Sequence, residues 1–221
     1  MFDLELLRKV KLFSHLEPKQ LAAIRNAAKV KQFPKDTILF CEGDRGDTLY
    51  LILEGKVKAT LLAEDGREVI LSTLGPGELV GEMALFDLEE RRSATVITIE
   101  DTELLTLSGQ QFILVLEENP SIALSVIKSL SHRLREASHR IGNLVFLDTY
   151  SRVGRYLLDL GKQQGRYLAD GSLLLPRPTH QDIANFIGTS RETVSRSMKE
   201  LQNQGLLQVV GRKVILHRIR K

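Results

Sequence analysis

Residues Gly77 to Val96 read G-E-L-V-G-E-M-A-L-F-D-L-E-E-R-R-S-A-T-V. Two glycines four apart lead into a short helical-looking segment, Glu82 to Phe86, and then an acidic patch. Arg92-Ser93 follows, before the β-prone run Ala94 to Ile99. These are the parts needed to hold a phosphate beside a sugar. A glycine lets backbone N–H groups come close to an anion, and the N-terminus of a short helix adds its dipole. Arg92 offers a charge-assisted fork for phosphate oxygens, and Glu82 can accept from a sugar hydroxyl.

The sequence on either side of this stretch places it within a β architecture. Seven of the sixteen glycines fall between Gly43 and Gly81, punctuating short β-prone runs. Strands are predicted at Thr37–Cys41, Leu49–Leu53, Lys56–Leu62, Glu68–Thr73, Ala94–Ile99 and Glu103–Leu107, with turns at Glu42-Gly43-Asp44, Glu54-Gly55, Glu64-Asp65-Gly66 and Gly75-Pro76-Gly77. Many short strands at even spacing indicate a small antiparallel barrel or roll. Ahead of it, residues 3–28 have helical spacing, with Leu4, Leu7, Leu12, Leu16, Leu21 and Ile24 turned inward.

From Pro120 the texture changes. Ile127, Leu130, Leu134, Ala137, Ile141 and Leu144 recur at spacings of 3, 4, 3, 4 and 3, the seam of a two-stranded coiled coil. A helix packed on its own chain is the alternative. The strict period and polar flanks (Lys128, Ser131, His132, Arg135, Glu136, Arg140) favour a homodimer helix.

A second constellation spans residues 179–205, T-H-Q-D-I-A-N-F-I-G-T-S-R-E-T-V-S-R-S-M-K-E-L-Q-N-Q-G. It follows a predicted helix over Tyr150–Gln164 and an extended run over Ser172–Leu175. Thr179 with Asp182 marks a helix start; Ile183, Ala184 and Ile187 turn inward; Gly188 makes a tight turn; Thr189-Ser190 caps a second helix with Val194, Met198 and Leu201 buried. This is helix-turn-helix spacing. Arg191, Glu192, Ser195, Arg196 and Lys199 are left on the outer face, where arginine can fork onto guanine and glutamate can accept from cytosine. Taken alone, each of these residues reads first as a solvated surface charge, and Glu192 also as a capping-box partner of Thr189 or an ion-pair partner of Arg196. Turn and basic C-terminus together favour base reading: seven Lys/Arg against two acids follow Arg191. Leu207–Val210, Gly211-Arg212-Lys213 and Val214–His217 read as a hairpin with a basic tip, a wing for phosphates.

Composition narrows the function classes. The chain has 221 residues, 43% hydrophobic and 27% charged, with a net charge of only +3, so the basic character is local. Cys41 is the single cysteine, which excludes an intrachain disulfide or a cysteine-built cluster and fits a reducing cytoplasm. His132 and His139, seven apart on the long helix, read as a polar flank rather than a metal site. The N-terminus is too charged for a signal peptide, and there is no membrane-spanning apolar run. A phosphate-binding enzyme is a distant alternative, against which stands the absence of a G-x-x-x-x-G-K-S/T motif or of a G-x-G-x-x-G followed by a helix.

A glycine-rich roll with G-E-M-A-L-F and R-S-A-T, a long seam helix ending in G-N-L-V-F-L-D, and a head bearing S-R-E-T-V together resemble the cyclic AMP receptor protein (catabolite activator) and fumarate–nitrate regulator superfamily. The resemblance covers nearly the whole chain. It implies an α+β fold: an N-terminal antiparallel β-roll of the double-stranded β-helix type that binds cyclic nucleotides (1–119), a coiled-coil dimerisation helix and hinge (120–147), and a winged helix-turn-helix (148–221). By resemblance, Gly81 and Glu82 contact ribose and backbone, Met83 and Ala84 line the same seat, Arg92 and Ser93 hold the cyclic phosphate, and Ser138 approaches the base. The residue before this serine is often a threonine that meets the adenine amino group; here it is Ala137. A hydrogen bond of that kind contributes about 0.5–1.5 kcal/mol, so adenine preference is expected to weaken. The allosteric ligand is therefore cyclic AMP first, with cyclic GMP, another effector or ligand-free DNA binding as alternatives, and no catalytic cofactor is implied.

On the DNA side the resemblance gives Arg191, Glu192 and Arg196 a TGTGA-like half-site of a palindromic operator, and Gln181, Ser190 and Thr193 the phosphates, beside the wing's Lys213. Members bend DNA and some touch RNA polymerase; Lys29 and Lys31 fall where the catabolite activator does so. The implied switch is a hinge around Asn143–Asp148. Arg92→Ala is expected to abolish the effector response and leave folding intact.

Overall fold

Turn residues and strand faces set the first half of the chain. In this computed structural model the described residues are 7–8, 10, 12–14, 16–87 and 89–217; Leu4, an expected core position, lies outside them. The helix expected across residues 3–28 is broken at Pro18. Successive turns joined by Val10 N to Leu7 O, Phe13 N to Val10 O and Leu16 N to Phe13 O bury Leu7, Leu12 and Leu16. A new helix, α1 (Pro18–Ala27), then starts with proline at its first position, and Leu21 and Ile24 are buried on it. Proline has no N–H to give a preceding turn, and its fixed φ suits a helix start.

Eight strands follow: β1 (Lys29–Phe33), β2 (Ile38–Phe40), β3 (Thr48–Glu54), β4 (Val57–Leu62), β5 (Glu68–Leu74), β6 (Leu79–Val80), β7 (Thr95–Thr98) and β8 (Thr102–Ser108). They form two four-stranded sheets, ordered β1-β8-β3-β6 and β2-β7-β4-β5. Ile52, Val80 and Leu104 of the first sheet meet Val57, Leu74 and Val96 of the second in one apolar layer. The opposite face of the first sheet, through Leu49, Leu51, Leu105 and Leu107, packs on the helical segments through Leu21, Ile24, Phe112 and Ile122. Because side chains alternate along a strand, a sheet covered on both faces must be apolar nearly throughout. That accounts for the runs T-L-Y-L-I-L-E and T-E-L-L-T-L-S.

Helix α2 (Gly109–Glu118), capped by Ser108 accepting from Gln111 N, leads through Asn119 into α3 (Pro120–Phe146). Asn119 is buried; its Nδ2 donates to Val115 O at 2.9 Å, and its Oδ1 accepts from Gln20 Nε2. Helix α3 buries only Ile122 and Val126. Its seam residues Ile127, Leu134, Ile141 and Leu144 are 53–68% exposed within the chain, and Leu130 is partly buried on the roll core.

The remaining elements are α4 (Thr149–Gln164), β9 (Arg166–Tyr167), β10 (Leu173–Pro176), α5 (His180–Ile187), α6 (Arg191–Asn203), β11 (Leu207–Val210) and β12 (Lys213–Leu216). The strands form a third sheet, β11-β12-β10-β9. Val153, Leu157, Leu175, Ile183, Val194 and Val214 share its core. The chain divides into two compact units, one of residues up to Gly66 with Ile70–Leu134, the other of Arg67–Val69 with Arg135–Lys221. The antiparallel roll, long helix and C-terminal helix-turn-helix are as expected from the sequence. Strands β6 and β9 and helix α2 were not. Among the described residues, no helix is long and apolar enough to cross a membrane.

Candidate ligand cradle and nucleic-acid face

The cradle is built around a buried arginine. Arg92 follows the turn before β7, where its N–H donates to Asp44 O at 2.9 Å and its O accepts from Gly43 N at 2.9 Å. Its side chain is turned inward and the residue is 4% exposed. Nη1 donates to Gly81 O at 2.9 Å, Nη2 donates to Thr48 O at 2.7 Å, and the guanidinium lies 4.2 Å from the centre of the Phe40 ring. Its Nε is buried with no partner among the described residues. Burial lowers the guanidinium pKa, and Tyr50, Asp47 and Asp44 oppose that.

Glycine is required where this side chain passes. A Cβ on Gly46 would sit 2.6 Å from Arg92 Nε, and one on Gly81 would collide with Arg92 Nη1. Gly81 also has φ +83°, the left-handed region that other residues enter at a cost. The glycines were expected to admit an anion to the backbone; what Gly46 and Gly81 make room for here is the arginine.

Glu82 is 2% exposed. Its Oε1 accepts from Arg133 Nη1 at 2.7 Å, and Arg133 Nη2 donates to Leu79 O at 2.6 Å. Desolvation raises the Glu82 pKa, with Arg133 and the residue's own N–H acting against it. Arg133, on α3, is a site residue that the heptad reading passed over because it stands beside the seam position Leu134. A deeply buried carboxylate needs a cation, and that requirement was the available signal.

Around these two charges, Ala84 is buried while Met83 is 52% exposed. Ser93, exposed at the rim, donates its hydroxyl to Met83 Sδ at 3.5 Å. The expected helix dipole shrinks to one 3₁₀ turn, Met83–Leu85, with Glu82 at its N-cap. Ala137 and Ser138 are exposed on α3, one turn beyond Arg133. Gly81, Glu82, Ala84 and Arg92 are thus brought together, with Met83 and Ser93 at the edge. The group fits a small anion joined to a hydroxyl-bearing ring: the unpartnered Nε–H of Arg92, a buried carboxylate, and glycines where a Cβ would fill the space. Arg92 is also a packing residue, so its removal exposes two carbonyl partners and a ring face. Its replacement is therefore expected to weaken the fold, contrary to the sequence reading.

The second constellation folds as its spacing implies. Thr179 caps α5 in a reciprocal box with Asp182, and Gly188, at φ 69°, ends the helix. Two residues later Ser190 caps α6, accepting from Thr193 N at 3.2 Å. Ser190, not Thr189, is the N-cap. That puts Glu192 at the second helical position, so the capping box with Thr189 is not formed. No ion pair joins Glu192 to Arg196 among the described residues; Arg196 Nη2 reaches Thr193 Oγ1 at 3.4 Å. Arg191, Glu192, Ser195, Arg196 and Lys199 are all exposed, on the face opposite buried Val194, Ser197, Met198 and Leu201.

Gln181, exposed on α5, donates to Asn185 Oδ1 at 2.6 Å. Lys213 opens β12 opposite Pro176 and Val210. One cation that sequence reading left out, Arg177, stands beside it. Arg177 N donates to Arg212 O at 3.0 Å, joining the end of β10 to the wing tip. His180 sits between Arg177 and Arg191 electrostatically, and burial together with both arginines lowers its pKa. Among the described residues no cluster of three or more His, Cys, Asp or Glu could hold a metal.

Comparison with known proteins finds a family for each half of the chain. Residues 30–119 match the cyclic nucleotide-binding domain family, and residues 151–221 match the Crp-like helix-turn-helix domain family. The chain is 30% identical over 212 residues to the CRP-like cAMP-activated global transcriptional regulator of Mycobacterium tuberculosis, covering 96% of this chain and 94% of that one. It is 32% identical over 188 residues to the cAMP-activated global transcriptional regulator CRP of Salmonella typhimurium, covering 85% and 89%. Among solved structures, the c-di-GMP responsive global regulator CLP of Xanthomonas campestris superposes with a TM-score of 0.80 at 29% identity, over 91% of this chain and 100% of that one. The catabolite activator protein of Thermus thermophilus gives 0.53 at 35% identity, over 93% of each. The chain belongs to the CRP family of transcription regulators, which are not enzymes, and joins a cyclic nucleotide-binding domain to a Crp-like helix-turn-helix domain.

Proposed function

We propose that this regulator is a cytoplasmic homodimer whose binding to a palindromic, TGTGA-like operator is switched by cyclic AMP. It is used in three segments: a ligand-binding roll (1–119), a pairing helix with its hinge (120–147) and a DNA-reading head (148–221). In this reading Arg92 and Ser93 hold the phosphate, and Gly81 and Glu82, with Met83 and Ala84, hold the sugar side. Arg133 steadies Glu82, and Ala137 and Ser138 face the base. The ligand, when bound, supplies one anionic phosphate and a sugar hydroxyl. Copies pair along the exposed seam of α3. Each head places α6 in a major groove, where Arg191, Glu192 and Arg196 read bases. Gln181, Ser190, Thr193 and Lys213 hold phosphates. Lys29 and Lys31, exposed on β1, are a candidate contact to RNA polymerase in activation.

The observation that carries this reading is the pair of buried opposite charges in the cradle, Glu82 and Arg92, with the Arg92 Nε–H unpartnered among the described residues. The switch works only when ligand favours the DNA-competent dimer over its alternative. Titration calorimetry with cyclic AMP and cyclic GMP, followed by anisotropy on a labelled palindrome, tests it. Heat with cyclic AMP and tighter DNA binding in its presence are expected. No heat with either nucleotide would remove the proposal.

A second reading keeps the fold and changes the effector. Ala137 lacks the hydroxyl that favours adenine, and one similar structure is of a regulator described as c-di-GMP responsive. Adding cyclic di-GMP to the same titration separates the two.

A further inference from the structure

Arg140, on α3, lies with its guanidinium carbon 4.0 Å from the centre of the Phe186 ring on α5. Phe186 in turn packs on Tyr156 of α4, with ring centres 4.8 Å apart and planes at 58°. Within the second unit one stack thereby joins the end of the pairing helix, the helix that follows it, and the first helix of the helix-turn-helix. Tyr156 and Phe186 both pack against the core of the head. Burial and the Asp182 carboxylate push the Tyr156 hydroxyl up to about 12, with Arg140 pulling the other way. The ring therefore stays neutral across the working pH range. Burial lowers the Arg140 pKa, and Glu136 and Tyr156 oppose it, so the stacked group remains a cation.

The position of Arg140 in the sequence gives this stack its meaning. It immediately precedes the seam residue Ile141 and follows Ser138, the proposed base contact, by two residues. A rotation or slide of α3 that repacks the seam must move Arg140 with it. Phe186 stands one residue before Ile187, which is buried in the head core, and two before the Gly188 turn that sets the angle of α6. Edge, offset and face positions over a ring differ in energy, so the stack favours one arrangement of the three helices.

We infer that Arg140 is a positioning residue that transmits the state of the pairing helix to the reading head through Phe186 and Tyr156. This deepens the proposed function and rests on it. The coupling is a ratio: the operator dissociation constant without nucleotide divided by that with it. Arg140→Ala and Phe186→Leu should each reduce this ratio roughly 2- to 30-fold, the range a partly buried cation–ring contact supplies. The double variant should lose no more than the worse single one, because both remove one interaction. Arg140→Lys and Phe186→Tyr, which keep a cation and a ring, should restore most of the ratio.

Operator affinity would be measured by anisotropy in the full-length protein with and without cyclic AMP, and folding followed by thermal melting. Conservative variants that fail to restore the ratio while melting like the parent would overturn the inference. So would single effects that add in the double variant, or a ratio unchanged by Arg140→Ala. A parent protein that shows no nucleotide effect at all would instead refute the proposed function itself.

Discussion

The roll hides its working charges, and the reading head displays them. Glu82 and Arg92 are 2% and 4% exposed and are tied to backbone carbonyls, a ring and another helix. Arg191, Glu192, Arg196 and Lys199 stand exposed on α6. A buried charge must be paired wherever it sits, so the cradle's charges are also structural. Exposed charges cost the fold little to place and little to lose. Under the proposed function, the same side-chain chemistry therefore does two jobs in the roll and one in the head.

The largest break in that contrast should come from Arg133→Met. It leaves Glu82 buried without its cation, a loss of about 3–5 kcal/mol for a broken buried pair, read as a drop in denaturant midpoint. Adding Glu82→Gln to it should recover part of that loss. If Arg133→Met unfolds at the parent's midpoint, the pair is not structural.

Next in size is the head, where stability should hardly move. Arg191→Ala should lose about 1–3 kcal/mol of discrimination at one guanine with an unchanged melt. Lys213→Ala should weaken all sequences alike and reduce the salt slope by about one. Competition binding against operators altered one base at a time distinguishes them. Operator preference unchanged in Arg191→Ala would remove α6 from base reading.

The smallest effect is one of sign. Glu82 has its pKa raised, chiefly by burial, so the folded roll takes up this proton more readily than the unfolded chain. Its contribution is complete below the usual carboxyl range and is lost as pH rises through the raised value. Asp148, the α4 cap, has its pKa lowered, chiefly by the Ser151 N–H. Its contribution is present above the usual range and is lost as pH falls through the lowered value. Denaturant midpoints between about pH 3 and 7 should show Glu82→Gln and Asp148→Asn changing the pH slope in opposite directions.

Most of this contrast was legible from the residues. The head was read nearly in full because each part depends on a local rule: Thr179 with Asp182, the left-handed Gly188, Ser190 before α6, apolar residues three and four apart. The roll was read as strands and turns, but its partners were not. Two-residue strands such as β6 carry too little pattern to see, whereas the start of α2 is marked by Ser108 with Gln111 and was passed over. Arg133 belongs to the roll's site from 51 residues away, and no spacing rule reaches that far. Arg92 was legible as a charge and illegible as a packed one, since the carbonyls of Gly81 and Thr48 come to it only once the sheets close.

The stripe of Ile127, Leu134, Ile141 and Leu144 is 53–68% exposed among the described residues. Under the proposed pairing, assembly follows mass action, and the melting temperature should climb with protein concentration. The cell's copy number then becomes an input to the switch alongside the nucleotide. A gene expressed weakly would yield chains that fold less securely as well as bind DNA less often, so regulation of its own synthesis would tune both at once.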